Sequence, residues 1–118
     1  MPVYMTQFTY TPEAWAAMVE RPEDRSKVLG EFLQQSGGKL LSFYYAFSEH
    51  DGVAIFEVPD ETAAAAALMA VVVPGHDKAI RTTALLTVEQ ALEGMRRAAG
   101  VPYRPPTAAE EDWRPYHD

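Results

Sequence analysis

A chain of 118 residues with 47% apolar and 23% charged side chains has the length and composition of one globular domain with a single core. Its net charge of −7, with ten scattered Lys and Arg, excludes nucleic acid or an anionic membrane as the expected partner, because either requires clustered cations. No cysteine is present, so disulfides, thiolate catalysis and Cys-based zinc sites are excluded.

Residues 3–10, rich in aromatic and β-branched side chains, predict a first strand. Thr11-Pro12-Glu13 then supplies an N-cap, a proline at the first helical position and an acid at the positive end of the dipole. Trp15, Met18 and Val19 give that helix an apolar face, and Pro22 separates it from a second helix over about 23–35. There Val28, Leu29, Phe32 and Leu33 form the buried stripe, and Gly37-Gly38 ends it. Residues 40–47 and 53–58 read as a hairpin closed by Asp51-Gly52. Asp60 caps an alanine-rich helix reaching about Val71, Pro74-Gly75 turns the chain, and residues 78–86 form a fourth strand. Thr87 and Gln90 make a capping box for a last helix with Val88, Ala91, Leu92 and Met95 on its apolar face.

The order predicts an α+β fold, a ferredoxin-like βαββαβ antiparallel sheet with helices on one face. Residues 1–100 make this domain, and residues 101–118 are a Pro- and aromatic-rich extension whose Tyr103, Trp113 and Tyr116 are expected to dock on the domain or a neighbour. The N-terminus has no basic start and apolar run, and the stretch 63–73 is too short to span a bilayer, so a cytoplasmic protein is expected.

Alternate strand residues point to opposite faces. Tyr4, Phe8 and Tyr10 oppose Val3 and Met5 on the first strand; strict alternation puts Leu40, Tyr44 and Ala46 opposite Leu41, Phe43, Tyr45 and Phe47 on the second. Val53 and Ile55 oppose Ala54, Phe56 and Val58 on the third. Both faces are largely apolar and the helices cover one, so a homodimer or higher homo-oligomer is expected to cover the other.

The segments Tyr4-Met5-Thr6-Gln7-Phe8-Thr9-Tyr10-Thr11, Gly37-Gly38-Lys39-Leu40, Asp51-Gly52-Val53-Ala54-Ile55-Phe56-Glu57 and Arg81-Thr82-Thr83 with Leu85-Leu86-Thr87 together resemble the GYD domain family. The resemblance spans roughly residues 1–98 and implies a dimeric α+β barrel with two sheets face to face. Where the family places Gly and Tyr before Asp, this chain has Ser48 and His50, with Asp51 retained.

Candidate site residues fall into three sets. Gln7, Glu57 and Arg81 lie on the first, third and fourth strands; if they share a face, Glu57 is a candidate base and Arg81 an anion holder, with Gln7 between. The bland reading is an interface ion pair or strand-end charge, which is commoner. Tyr4, Trp15, Tyr44 and Tyr45 are candidates to line a cleft for a flat organic ligand, with the Tyr44 hydroxyl as an acid, although core filling is the commoner role of such residues. His50, His76 and His117 each precede an aspartate, and His50 is a further catalytic candidate. Placing His50 and His76 at opposite ends of the sheet argues against a joint metal site, so no metal is assigned. No P-loop, GxGxxG, GxSxG or HExxH is present, and no cofactor is expected. The sequence therefore points to an oligomeric barrel binding a small hydrophobic or aromatic molecule. The alternatives are a cofactor-independent isomerase, cyclase or monooxygenase, and an assembly role for the C-terminal tail.

Overall fold

In the computed structural model, which describes residues 1–106, the chain runs β1 (Val3–Tyr10), α1 (Pro12–Glu20), α2 (Arg25–Gln35), β2 (Lys39–Tyr45), β3 (Gly52–Glu57), α3 (Glu61–Val72), β4 (Asp77–Leu85) and α4 (Val88–Ala99). It divides into two units, Met1–Leu85 and the segment from Leu86, each described by itself below. The expectations for Trp113, Tyr116, His117 and a helical turn at Thr107 lie outside the described residues. Among the described residues, no helix is long and apolar enough to cross a membrane.

The four strands form one antiparallel sheet in the order β2-β3-β1-β4, so the fold is the ferredoxin-like α+β arrangement read from the sequence. Local chemistry sets the element ends, as expected at Thr11 and Asp60. The Thr11 hydroxyl accepts the Ala14 N–H at 3.1 Å, Asp60 accepts that of Ala63 at 2.8 Å, and the Asp24 side chain caps α2. At the end of α2, Gly37 takes φ 76°, and Gly38 N–H returns to the Leu33 carbonyl at 2.9 Å while Gly37 N–H bonds that of Gln34 at 3.0 Å. That left-handed termination is open to glycine at little cost.

One face of the sheet carries Tyr4, Thr6, Phe8 and Tyr10 from β1 beside Phe56, Ala54 and Gly52 of β3. Against it α2 and α3 pack Leu33, Ala64 and Ala67, which with Phe56 and Val58 form the core. Gly52 is required there: a β-carbon would stand 2.3 Å from the Phe8 ring. The other face carries Val3, Met5 and Gln7 beside Glu57, Ile55 and Val53, with Leu85, Thr83 and Arg81 of β4 on the far side. Val3, Met5, Val53 and Ile55 are only half-buried, and Tyr44 of β2 is exposed.

One sequence expectation is corrected. Strict alternation fails on β2, because the register shifts between Leu40 and Ser42. This bulge puts Leu40 on the same face as Phe43 and Tyr45, leaving Tyr44 on the opposite one. The β2–β3 hairpin forms as expected, and in its connection the Ala46 N–H reaches the Asp51 carbonyl at 2.8 Å.

In the second unit, α4 opens with the expected capping box between Thr87 and Gln90. It is strongly amphipathic, yet Val88, Leu92 and Met95 of its apolar face are exposed.

Candidate functional site

Between the sheet and helices α2 and α3 lies a cavity of about 300 Å³. Its origin is a mismatch of side-chain size. The sheet offers Phe8, Phe43 and Phe56 around a small Ala54, and α3 sets the small Ala67 and Ala70 beside Leu68 and Val71. Close packing is lost wherever small residues face one another, and the space remains. Val28, Leu29 and Phe32 of α2 and Ile80 of β4 complete a mostly apolar wall.

The polar groups of the wall fall in two places. Thr6, in the middle of β1, is buried, and its hydroxyl bonds that of Thr82 on β4 at 3.0 Å. At the end of β1, Tyr10 joins Arg25 from the first turn of α2 and His76 and Asp77 from the start of β4. Tyr10 and Asp77 are cross-strand partners. Burial pushes the Tyr10 phenol up to about 12, with nearby Tyr45 adding to the rise and the Arg25 charge opposing it. Burial likewise raises the Asp77 carboxyl, against the pull of His76 and Arg25. For Arg25, burial acts against the charge, but the 2.7 Å bond to Glu23 and the neighbouring Tyr10 outweigh it and raise the guanidinium. At neutral pH this end therefore presents a protonated phenol and a cation beside a carboxyl.

None of Tyr4, Gln7, Trp15, Tyr44, Tyr45, His50, Glu57 and Arg81 lines this cavity, whereas His76 does. Gln7 and Arg81 are direct cross-strand partners, whereas Glu57 pairs with Val3, four residues along β1 and roughly 13 Å away. The three share the open face but form no single row. Trp15 and Tyr45 do meet, at 6.1 Å between ring centroids, and Tyr10 packs edge-on against Trp15 at 5.5 Å. Tyr4 stands apart, stacked on Phe56 at 5.8 Å, and Tyr44 is on the other face.

The histidines need a correction too. β3 and β4 are both antiparallel to β1, so both begin at the same end of the sheet, and His50 and His76 lie at that end together. The His50 Nδ1 is buried without a hydrogen-bond partner among the described residues. Among the described residues, no group of three or more His, Asp or Glu side chains is placed to hold a metal ion. Beside His50, Asp51 is structural: its Oδ2 accepts the Tyr10 backbone N–H and the Trp15 indole N–H, each at 2.9 Å.

Sequence reasoning missed Thr6, Tyr10, Arg25 and Asp77 as a group. The available signal was a threonine and a tyrosine on the core-facing parity of the first strand, where apolar residues are the norm.

The GYD domain model matches residues 4–94. The crystal structure of MtbAldR has a TM-score of 0.53 at 10% identity, over 73% of this chain and 53% of that one, a likeness of fold alone. This chain thus spans about half the length of that protein. A crystal structure of an antibiotic biosynthesis monooxygenase aligns with a TM-score of 0.46 at 18% identity, covering 75% of this chain and 99% of that one. No curated protein matches the chain.

Proposed function

The chain belongs to the GYD domain family, and from that premise we propose that it is a homo-oligomeric, cytoplasmic α+β barrel protein that binds a small, largely apolar molecule between its sheet and helices. The observation carrying this reading is the cavity of about 300 Å³, walled by phenylalanines and aliphatic side chains, with polar groups at only two places. Ligand sites have this character: concave, mostly apolar, with few convergent polar atoms. Its volume corresponds to on the order of ten water molecules, enough for a ligand of one or two rings.

Oligomerisation is supported by the open face of the sheet. Val3, Met5, Val53 and Ile55 form a half-buried apolar strip, with Lys39, Glu57 and Arg81 around it. An apolar centre with a polar surround is the usual anatomy of an interface. A second copy laying the same face on this one removes both strips from water.

A second reading, a cofactor-independent isomerase, cyclase or monooxygenase, draws on Asp77. A carboxyl raised by burial at a cavity wall, beside a tyrosine and an arginine, is suited to proton transfer.

The test of binding is calorimetric titration with 2-naphthol of the wild type and of Ala67→Phe, which fills the cavity from α3. Saturable binding that disappears in the variant while its circular dichroism is unchanged supports the proposal. Absence of binding to the wild type, or undiminished binding to the variant, refutes it.

A further inference from the structure

The two polar places in the cavity wall are set apart along one strand. Thr6 and Tyr10 lie on the same face of β1, four residues and roughly 13 Å apart. Between them sits the Phe8 ring, packed on Tyr10 at 5.2 Å and on Phe43 at 5.6 Å between centroids. The space thus has hydrogen-bonding groups at two points along β1, with the Phe8 ring between them.

The inner point is the more informative. Among the described residues, Thr6 is the only buried polar side chain. Its bond with Thr82 uses one hydroxyl hydrogen, and the pair retains a second hydrogen and spare lone pairs. For stability alone, valine at both positions keeps the shape and adds apolar burial, and such paired replacements are often neutral or better. The Thr6 hydroxyl, facing a mostly apolar cavity wall, is therefore suited to recognising an occupant. At the outer end, the phenol of Tyr10 and the N–H groups of Arg25 not engaged with Glu23 offer donors, and Asp77 offers an acceptor.

Resting on the binding role proposed above, we infer that the ligand is a flat, rigid molecule of about two fused rings carrying an oxygen function at each end. One oxygen is read by the Thr6 hydroxyl, oriented by its bond to Thr82, and the other by Tyr10 with Arg25. A molecule with a single polar end satisfies half of this arrangement and leaves the other half unpaired in an apolar wall, which is what makes such a site discriminate.

The test compares 2,6-dihydroxynaphthalene with 2-naphthol by calorimetry on the wild type, Thr6→Val and Tyr10→Phe, with urea unfolding of each. The inference expects the diol to bind the wild type about tenfold more tightly than the mono-ol, one hydrogen bond's worth of selectivity. In Thr6→Val that preference falls to within about threefold, while the unfolding midpoint stays near wild type. Equal binding of the two probes to the wild type overturns the inference and leaves the binding role standing. A preference that survives Thr6→Val also overturns it, marking the threonine pair as structural. Failure of both probes to bind removes the binding role and this inference with it.

Discussion

The indole N–H of Trp15 donates to Asp51 Oδ2 at 2.9 Å, and that oxygen also takes the Tyr10 backbone N–H at the same distance. A single carboxylate oxygen thus ties the start of β3 to the end of β1 and to α1. Its backbone joins in, because the Asp51 N–H donates to the Phe8 carbonyl at 2.8 Å. The strand end carrying Tyr10 into the cavity is held from the loop side.

Removing this tie is expected to matter for both stability and binding. Asp51→Ala should destabilise the protein by roughly 2–3 kcal/mol, because two donors lose a charged acceptor in a partly buried position. Asp51→Asn keeps a carbonyl acceptor and should cost less. Trp15→Phe removes only the indole bond and should fall between wild type and Asp51→Ala. Urea unfolding checks the order; an Asp51→Ala midpoint equal to wild type contradicts the tie.

Tyr10 should ionise late. Its folded-state value of about 12 lies above the ordinary 10.0 of an unfolded tyrosine. The folded state therefore disfavours the phenolate, and the associated stability is intact below about pH 10 and lost as pH rises through about 12. Absorbance titration of tyrosinate should show a late component in the wild type that is missing from Tyr10→Phe. The Asp77 carboxyl is raised in the same sense, so its contribution is present below the ordinary carboxylate range and declines as pH rises through its folded value.

The open face of the sheet should hold a second copy. Light scattering on the wild-type chain is expected to give at least twice 13.1 kDa. Ile55→Lys, which puts a charge in the middle of the half-buried apolar strip, should shift the population toward monomer without loss of secondary structure. A wild-type monomer at working concentration contradicts the assembly.

The core itself depends on few large side chains. Leu33 is 1% exposed in the middle of the cluster with Phe56 and Val58. Leu33→Ala should cost about 2–5 kcal/mol. Val19→Ala, at an exposed position of α1, should leave the unfolding midpoint close to wild type.

The elements were legible because their causes are local. Thr11-Pro12, Asp60 and the Thr87–Gln90 box fix helix starts through bonds three residues long, and alternation marks the strands. The β2 bulge was illegible because parity counting assumes an unbroken pleat, and nothing in Leu40-Leu41-Ser42 announces the extra residue. The histidines were misplaced by an error of strand direction rather than of pattern. The cavity was hidden for a different reason: it is an absence of volume. Ala54 and Ala67 are unremarkable in their own elements, and only the packing of β3 against α3 makes their smallness coincide. Tyr10, Arg25 and Asp77 are likewise gathered by strand register and a helix start rather than by spacing in the chain.

The most direct measurement is an amide NMR titration of the labelled protein with 2-naphthol. Shifts that saturate and centre on Thr6, Phe8, Tyr10, Ala54 and Ala67 are the predicted result. Saturating shifts confined to the open face, or no saturating shifts at all, would contradict a binding site between sheet and helices.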